Sequence, residues 1–302
     1  MIAWLTRSIW LGIALVFAVL LLRFHLSWFW ALVTTLFFVI ALKFAITTVN
    51  FGIAAWANRA DPVGFKLHAS RFLYGFFEEQ LATTASLFWT LPWLVLKKLP
   101  TPKTPPADRL PVLMIHGYVC NRGYWVPAAQ QLIAKGFVVD CITLEPAFGD
   151  IENYPALIEA QVQALKARTG AQKVVLVCHS MGGLAARAYL RKHGEGSIAH
   201  VITVGTPHDG TVIAQLGLGA NTRQMERKSA WRKALALDEP ATRYALFTTI
   251  YSRIDNIVAP ARTAVLPGAK EIELNDVGHV AMSIAPRCLA AIFEEIERVG
   301  KR

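Results

Sequence analysis

Apolar residues fall into two kinds of pattern along this chain of 302 residues. In the first third they form long, nearly unbroken runs. Residues 8–22 carry no charge, Arg23 and His25 interrupt, and 26–42 is uncharged again before Lys43 and a further apolar stretch. A helix needs about 20 mostly apolar residues to cross a bilayer. The first run reaches that length if Arg7 snorkels toward the head groups, and the second if Lys43 sits near its end. Trp4, Trp10, Trp28, Trp30 and Trp56 fall near the boundaries of these runs, where interfacial Trp is common. The pattern predicts a two-helix membrane hairpin, with one span plus an interfacial segment as the alternative. A cleaved signal peptide fits poorly. Arg23-Phe24-His25-Leu26 offers no small-residue cleavage site, and Ala55-Trp56-Ala57 lies too far along. A third stretch, 81–96, is uncharged but holds Thr83, Thr84, Ser86, Thr90 and Pro92, with Lys97 and Lys98 behind it. It suits a helix lying in the interface or packed on the following domain.

Beyond residue 107 the pattern changes to short apolar runs alternating with helical periodicity. Strands are predicted at 111–115, 137–142, 173–178, 198–204, 246–251 and 271–274. Helices are predicted at 124–134, ended by Gly136, at 154–168, stopped at Gly170, at 181–193, and as a closing amphipathic helix at 282–299. This alternation predicts an α/β fold with a mostly parallel sheet covered on both faces. Ligand sites in such sheets lie at the carboxyl ends of the strands. Pro100, Pro102, Pro105 and Pro106 mark a stiff linker. Three segments result: an anchoring helical segment at 1–58, an interfacial helix and linker at 59–107, and an α/β domain at 108–302.

Charge sharpens this division. Residues 1–107 carry 9 Lys/Arg and 3 Asp/Glu, and residues 108–302 carry 22 and 18. The second part reads as an ordinary globular domain, long enough to bury its own core. The net charge of +10 includes no long Lys/Arg run, which argues for a membrane surface as partner and against nucleic acid. With two spans, Arg7, Arg59, Lys66 and Arg71 share one side, so the positive-inside rule puts the C-terminal domain in the cytoplasm. A third span would reverse this. Cys120, Cys141, Cys178 and Cys288 lack metal-type spacing and read as free, mostly buried thiols.

The chemistry centres on Val174-Val175-Leu176-Val177-Cys178-His179-Ser180-Met181-Gly182-Gly183. A strand running into His-Ser-Met-Gly-Gly and then a helix is the context of a nucleophile elbow. The sharp turn lifts the Ser180 hydroxyl above the sheet, and the helix N-terminus favours negative charge beside it. Ile115-His116-Gly117-Tyr118 follows the first strand, in the place of the loop that supplies an oxyanion-hole amide. The amides of Tyr118 and Met181 are the two candidate donors, each worth about 3 kcal/mol when lost. His116 reads as a loop organiser. His279, in Asn275-Asp276-Val277-Gly278-His279, is the candidate general base. Asp255, after the preceding strand, is the candidate orienting acid, and Asp276 is its rival. The order Ser, Asp, His is that expected of an α/β-hydrolase.

These residues resemble the bacterial triacylglycerol lipases and esterases of the α/β-hydrolase superfamily. The likeness covers roughly 109–299. It rests on Ile115-His116-Gly117, His179-Ser180-Met181-Gly182-Gly183, Val204-Gly205-Thr206-Pro207-His208-Asp209-Gly210-Thr211, Ile250-Tyr251-Ser252-Arg253-Ile254-Asp255 and Val277-Gly278-His279. It implies an α/β-hydrolase fold and hydrolysis of an ester of an apolar acyl group, without an organic cofactor; the apolar runs and the charge bias place such a protein in the bacterial inner membrane. Some relatives hold a structural calcium; no ligand set for one can be assembled here, and no metal is expected. Cys178 departs from the pattern, standing where Gly or Ala is usual. The apolar N-terminal segment has no counterpart in secreted lipases. His208 and Asp209 read as structural. Residues 216–243 form either a lid over an acyl pocket or a simple covering helix pair, and Met114, Trp125 and Met181 are either pocket or core. An acyltransferase using the same residues, and a non-catalytic membrane scaffold, are the competing functions.

Overall fold

The strands lie in one sheet with helices packed on both of its faces. The structure, a computed structural model, describes residues 1–60, 69–100, 102 and 108–300. Lys66, Pro105 and Pro106 lie outside the described residues. In chain order the helices are α1 (Ile2–Leu22), α2 (Trp28–Ala57), α3 (Ala69–Ala85), a short α4 (Leu91–Trp93), α5 (Val126–Ala134), α6 (Tyr154–Thr169), α7 (Met181–His193), α8 (Ala220–Met225), α9 (Ala230–Leu237) and α10 (Pro286–Val299). The strands are β1 (Val112–Ile115), β2 (Val139–Ile142), β3 (Val174–His179), β4 (Ile198–Val204), β5 (Phe247–Ser252) and β6 (Lys270–Leu274).

The six strands are parallel, in the order β2-β1-β3-β4-β5-β6. The order reverses between β1 and β3, which opens a crevice at their carboxyl ends. Each central strand is buried on both faces, which is why it reads as an unbroken apolar run. Val112, Met114, Val175, Val177, Ile202 and Val204 enter the core beneath α5 and α10. Leu113, Ile115, Val174, Leu176, Cys178 and Val201 enter the opposite core beneath α6 and α7.

The first core also takes in Ile2, Ala82 and Leu91, so the N-terminal helices are packed onto the sheet domain. α1 and α2 are each long and apolar enough to cross a membrane. Helix α2 runs well past Lys43, which therefore sits mid-helix and not near an end. Its ammonium donates to the Gln80 carbonyl oxygen (2.7 Å), Gln80 Oε1 (2.7 Å) and Thr83 Oγ1 (3.0 Å). Arg7 is likewise turned inward: its guanidinium donates to the Pro92 carbonyl (2.7 and 2.9 Å) and lies over the Trp4 and Trp93 rings. The open ends of the α1–α2 pair both reach the sheet domain, through Met1 N to Glu145 Oε1 (2.9 Å) and Ala261 N to Asn58 Oδ1 (2.8 Å). Residues 81–96 belong to one helical run continuing α3 through a π turn and α4. A cavity of about 530 Å³ lies between α1, α2 and Leu87–Phe88, and none of its lining residues is a candidate site residue.

Candidate active site

Ser180 stands at the carboxyl end of β3 with φ 53° and ψ −127°, one residue before α7. A non-glycine residue with positive φ costs about 1–3 kcal/mol and persists only where its surroundings over-determine it. Here the Ser180 amide donates to the Val204 carbonyl (2.9 Å), and the Gly183 amide donates to the Ser180 carbonyl (3.0 Å). The turn is possible because its neighbours are small. A Cβ on Gly117 would lie 2.7 Å from Ser180 Cβ, one on Gly182 2.7 Å from the His116 carbonyl oxygen, and one on Gly183 2.2 Å from Thr206 Oγ1. Cys178 is fully buried in the strand below, in the core under α6 and α7.

His279 Nδ1 and Asp255 Oδ2 are 2.9 Å apart, both side chains nearly inaccessible. Asp255 spends its other oxygen on the amides of Ile257 (2.8 Å) and Val258 (2.7 Å). That leaves Oδ2 to accept from an Nδ1–H, which makes Nε2 the free acceptor of a neutral imidazole. Burial pushes the His279 pKa down, but the charge and hydrogen bond of Asp255, with a smaller contribution from Glu79, outweigh it and hold it above the usual histidine value. Gly205 follows the residue that anchors Ser180. Its φ is +55°, and a Cβ there would meet Met282 Sδ at 2.9 Å, Asp255 Oδ2 at 3.1 Å and His279 Nδ1 at 3.2 Å. Ser180, Asp255 and His279 are thus drawn to one locality at the carboxyl edge of the sheet. Asp276, the rival acid, instead accepts from Arg287 Nε (2.7 Å).

Met181 is the first residue of α7, so its amide has no partner within the helix. Tyr118 sits on the loop after β1, before Val119 at φ 53°. Its hydroxyl donates to the Leu218 carbonyl (2.8 Å) and accepts from the Leu218 amide (2.9 Å), tying this loop to the 217–219 turn. His116 organises the same loop: Nδ1–H donates to the Gly117 carbonyl (2.7 Å) and Nε2 accepts from the Leu144 amide (2.9 Å). Burial holds its pKa at about 4, so it stays neutral. Trp125 is fully buried and donates from Nε1 to the Ile115 carbonyl (3.0 Å), and Met114 is core. Met181 is buried, with Sδ 3.4 Å from Asn221 Nδ2.

His208 is buried with Nε2 3.1 Å from Thr203 Oγ1 and its carbonyl accepting from Arg187. Asp209 is exposed and pairs with Arg227 and Arg232. Residues 216–243 hold α8 and α9, tied down at several points. Gln224 Oε1 accepts from the Ile151 amide (2.8 Å), Trp231 Nε1 donates to Glu152 Oε1 (2.6 Å), and Asn221 Nδ2 donates to the Ala147 carbonyl (2.9 Å).

Two groups beside His279 were not among the residues singled out from sequence. His179 lies under it, ring centroids 4.5 Å apart, and donates from Nε2 to the His279 carbonyl (3.1 Å). Burial holds its pKa well below the usual value. Glu79, on α3, is fully buried and accepts from the amides of Val280 (3.1 Å) and Ala281 (2.8 Å).

Residues 151–269 match the model of the PGAP1-like α/β domain. The chain is 32% identical over 117 residues to a triacylglycerol lipase of Pseudarthrobacter phenanthrenivorans, covering 36% of each protein. It is 30% identical over 143 residues to triacylglycerol lipase 2 of Saccharomyces cerevisiae, covering 45% of this chain and 42% of the yeast protein. The chain thus spans about two-fifths of the length of these relatives. Among solved structures it superposes on the mature lipase of Bacillus licheniformis with a TM-score of 0.56 at 18% identity, over 65% of this chain and 96% of that one. With Aspergillus fumigatus lipase B the TM-score is 0.54 at 15% identity, over 70% and 61%. The chain thus shares the fold of these lipases, and over 117–143 residues its sequence is similar to triacylglycerol lipases.

Proposed function

We propose that this chain is a membrane-anchored serine hydrolase that cleaves a carboxylic ester of an apolar acyl group. The observation that carries the reading is the strained Ser180 at the end of β3, on the same sheet edge as the bonded His279–Asp255 pair. Ser180 Oγ attacks the acyl carbonyl carbon while His279 Nε2 takes the hydroxyl proton. Asp255 holds the imidazole in that tautomer and stabilises the imidazolium. The amides of Tyr118 and Met181 receive the charge that develops on the carbonyl oxygen. As the ester C–O bond breaks, His279 returns the proton to the leaving alcohol and an acyl-Ser180 remains. Water, deprotonated by His279, then attacks the acyl carbon; the bond to Ser180 Oγ breaks, His279 returns the proton to Oγ, and the carboxylic acid leaves. The lipases among the matched relatives support an apolar acyl group.

The test is covalent. A fluorophosphonate probe should label the full chain in detergent, with the adduct on the peptide carrying Ser180, and p-nitrophenyl esters of rising chain length should compete. Folded protein that takes no label, or takes it elsewhere, sinks this reading. Acyl transfer to an alcohol is the second reading, favoured by the burial of Ser180 and His279, 5% and 4% exposed. An added alcohol would then partition the acyl group away from water.

The anchor reading rests on α1 and α2, whose outer faces expose Trp4, Leu11, Leu22, Trp28, Phe37 and Phe38. Apolar surface of this extent is rare on water-facing proteins. Helix α1, of 21 residues, is about 31 Å long at 1.5 Å per residue, close to the hydrocarbon thickness. The sheet domain lies on the cytoplasmic side of the bacterial inner membrane in this reading, with the 23–27 turn opposite. The chain should stay with the membrane pellet through an alkaline carbonate wash; release into the supernatant would rule out the hairpin.

A further inference from the structure

The Glu79 carboxylate, on α3, reaches the loop carrying His279. Glu79 is 0% exposed. Both of its oxygens are used, Oε1 by the Val280 amide and Oε2 by the Ala281 amide. Those amides open the single helical turn Val280–Ser283 that directly follows His279, so the carboxylate caps that turn from outside. The fit is close on both sides. A Cβ on Gly278 would sit 2.6 Å from Glu79 Cβ, and one on Gly75 would sit 2.3 Å from the Asp276 carbonyl oxygen. Helix α3 therefore presses its backbone and one carboxylate directly onto residues 276–281. Its neighbour Glu78 reinforces the contact through Arg287, which also grips Asp276 (Nη2–Oε2 2.6 Å, Nε–Oδ1 2.7 Å).

The other ties on His279 come from the sheet side, beginning with its Nδ1 bonded to Asp255 Oδ2 (2.9 Å). Its amide donates to Asn256 Oδ1 (3.0 Å), and its carbonyl accepts from His179 Nε2 (3.1 Å). Tyr124 donates its hydroxyl to the Val280 carbonyl (3.2 Å). These fix the loop from the sheet side. From the α3 side, Glu79 is the group that accepts the two amides following the histidine.

We propose that Glu79 is a positioning residue for His279, so that the helix following the hairpin completes the active site. The proposal rests on His279 acting as the general base of the reading above. Two backbone donors facing two oxygens call for an acceptor at both, which a carboxylate supplies and an amide supplies at only one. Removing the acceptors leaves two buried N–H groups unpaired, and the turn then reorganises, carrying the imidazole with it. A displacement of about 1 Å in such a group can cost 100-fold in rate.

The experiment compares full-length wild type, Glu79→Gln, Glu79→Ala and Ser180→Ala in the same detergent, each assayed well below its own unfolding temperature. Fluorophosphonate labelling rate, kcat and KM on a p-nitrophenyl ester, and amide exchange of the 277–285 peptide are read together. The expected result is a graded fall in kcat, about 10-fold for Glu79→Gln and about 100-fold for Glu79→Ala, with KM changed less than threefold and faster exchange at 280–281. If Glu79→Ala does not fold, Glu79→Gln alone decides. A folded Glu79 variant with faster exchange but wild-type kcat overturns the proposal and leaves Glu79 a fold-stabilising group. Ser180→Ala separates the two claims: labelling that survives it defeats the serine-hydrolase reading itself, whereas labelling that it abolishes, beside indifferent Glu79 variants, defeats only the positioning role.

Discussion

Ser180→Ala is expected to lower kcat on an activated ester by roughly 10⁶-fold, and Asp255→Asn by roughly 10³–10⁴-fold, in folded protein. The second figure follows from which atoms Asp255 already spends. Its Oδ1 accepts from the amides of Ile257 and Val258. An asparagine must keep its one carbonyl oxygen there and turn its NH₂ toward His279. Nδ1 is then forced to accept, the ring proton moves to Nε2, and the nitrogen proposed to take the Ser180 proton becomes a donor. The base is lost with little change in shape. The same substitution should move the acid side of the pH profile. In the wild type, Asp255 holds the His279 pKa above the usual value of about 6.5. The proposed mechanism needs the neutral ring, so kcat/KM should fall as pH drops through a value above about 6.5. Without the Asp255 charge that limb moves to lower pH. A limb that stays put would mean that another group titrates, and an Asp255→Asn variant within tenfold of wild type would remove Asp255 from the mechanism.

The parts of this arrangement that sequence makes legible are those whose cause is local. The central strands announce themselves as apolar runs because both faces are buried, whereas the edge strand β6 alternates charged and apolar residues. β4 begins and ends where its pattern does, and the other five differ by one or two residues at one or both ends. The elbow is readable because strand, small residues and helix follow one another within ten positions. The groups that hold His279 are not readable in this way. Glu79 sits between Glu78 and Gln80 on a helix, where such a run ordinarily marks a solvated face. Its partners, Val280 and Ala281, lie 201 and 202 positions away. Lys43 misleads for the same reason. A lysine at the edge of an apolar run reads as a terminus, yet Gln80 and Thr83 satisfy it mid-helix. His179 looks like a mere flank of the serine until the fold brings the His279 carbonyl to its ring.

The largest loss of stability should come from a pair behind α7, the helix that follows Ser180. Arg187 of α7 and Glu239 beyond α9 meet with side chains 1% and 0% exposed. The Arg187 Nε atom lies 3.0 and 3.1 Å from the two carboxylate oxygens, and Nη2 closes the fork on Oε2. Tyr244 adds a hydroxyl donor to the same oxygen (3.0 Å), and Arg187 Nη1 reaches the His208 carbonyl (3.3 Å). Glu239→Ala leaves a guanidinium buried beside the β4 loop with no counter-charge in the fork. Breaking one side of such a pair costs about 3–5 kcal/mol, which for a domain of this size lowers Tm by about 6–20 °C. The Coulombic gain of the intact pair is largely offset by desolvation, so Arg187→Met with Glu239→Leu should recover most of the loss. That contrast separates an ion pair that stabilises the fold from one that mainly fixes how 216–243 lies against α7. If the single and double variants lose the same Tm, packing volume and not the orphaned charge governs this site.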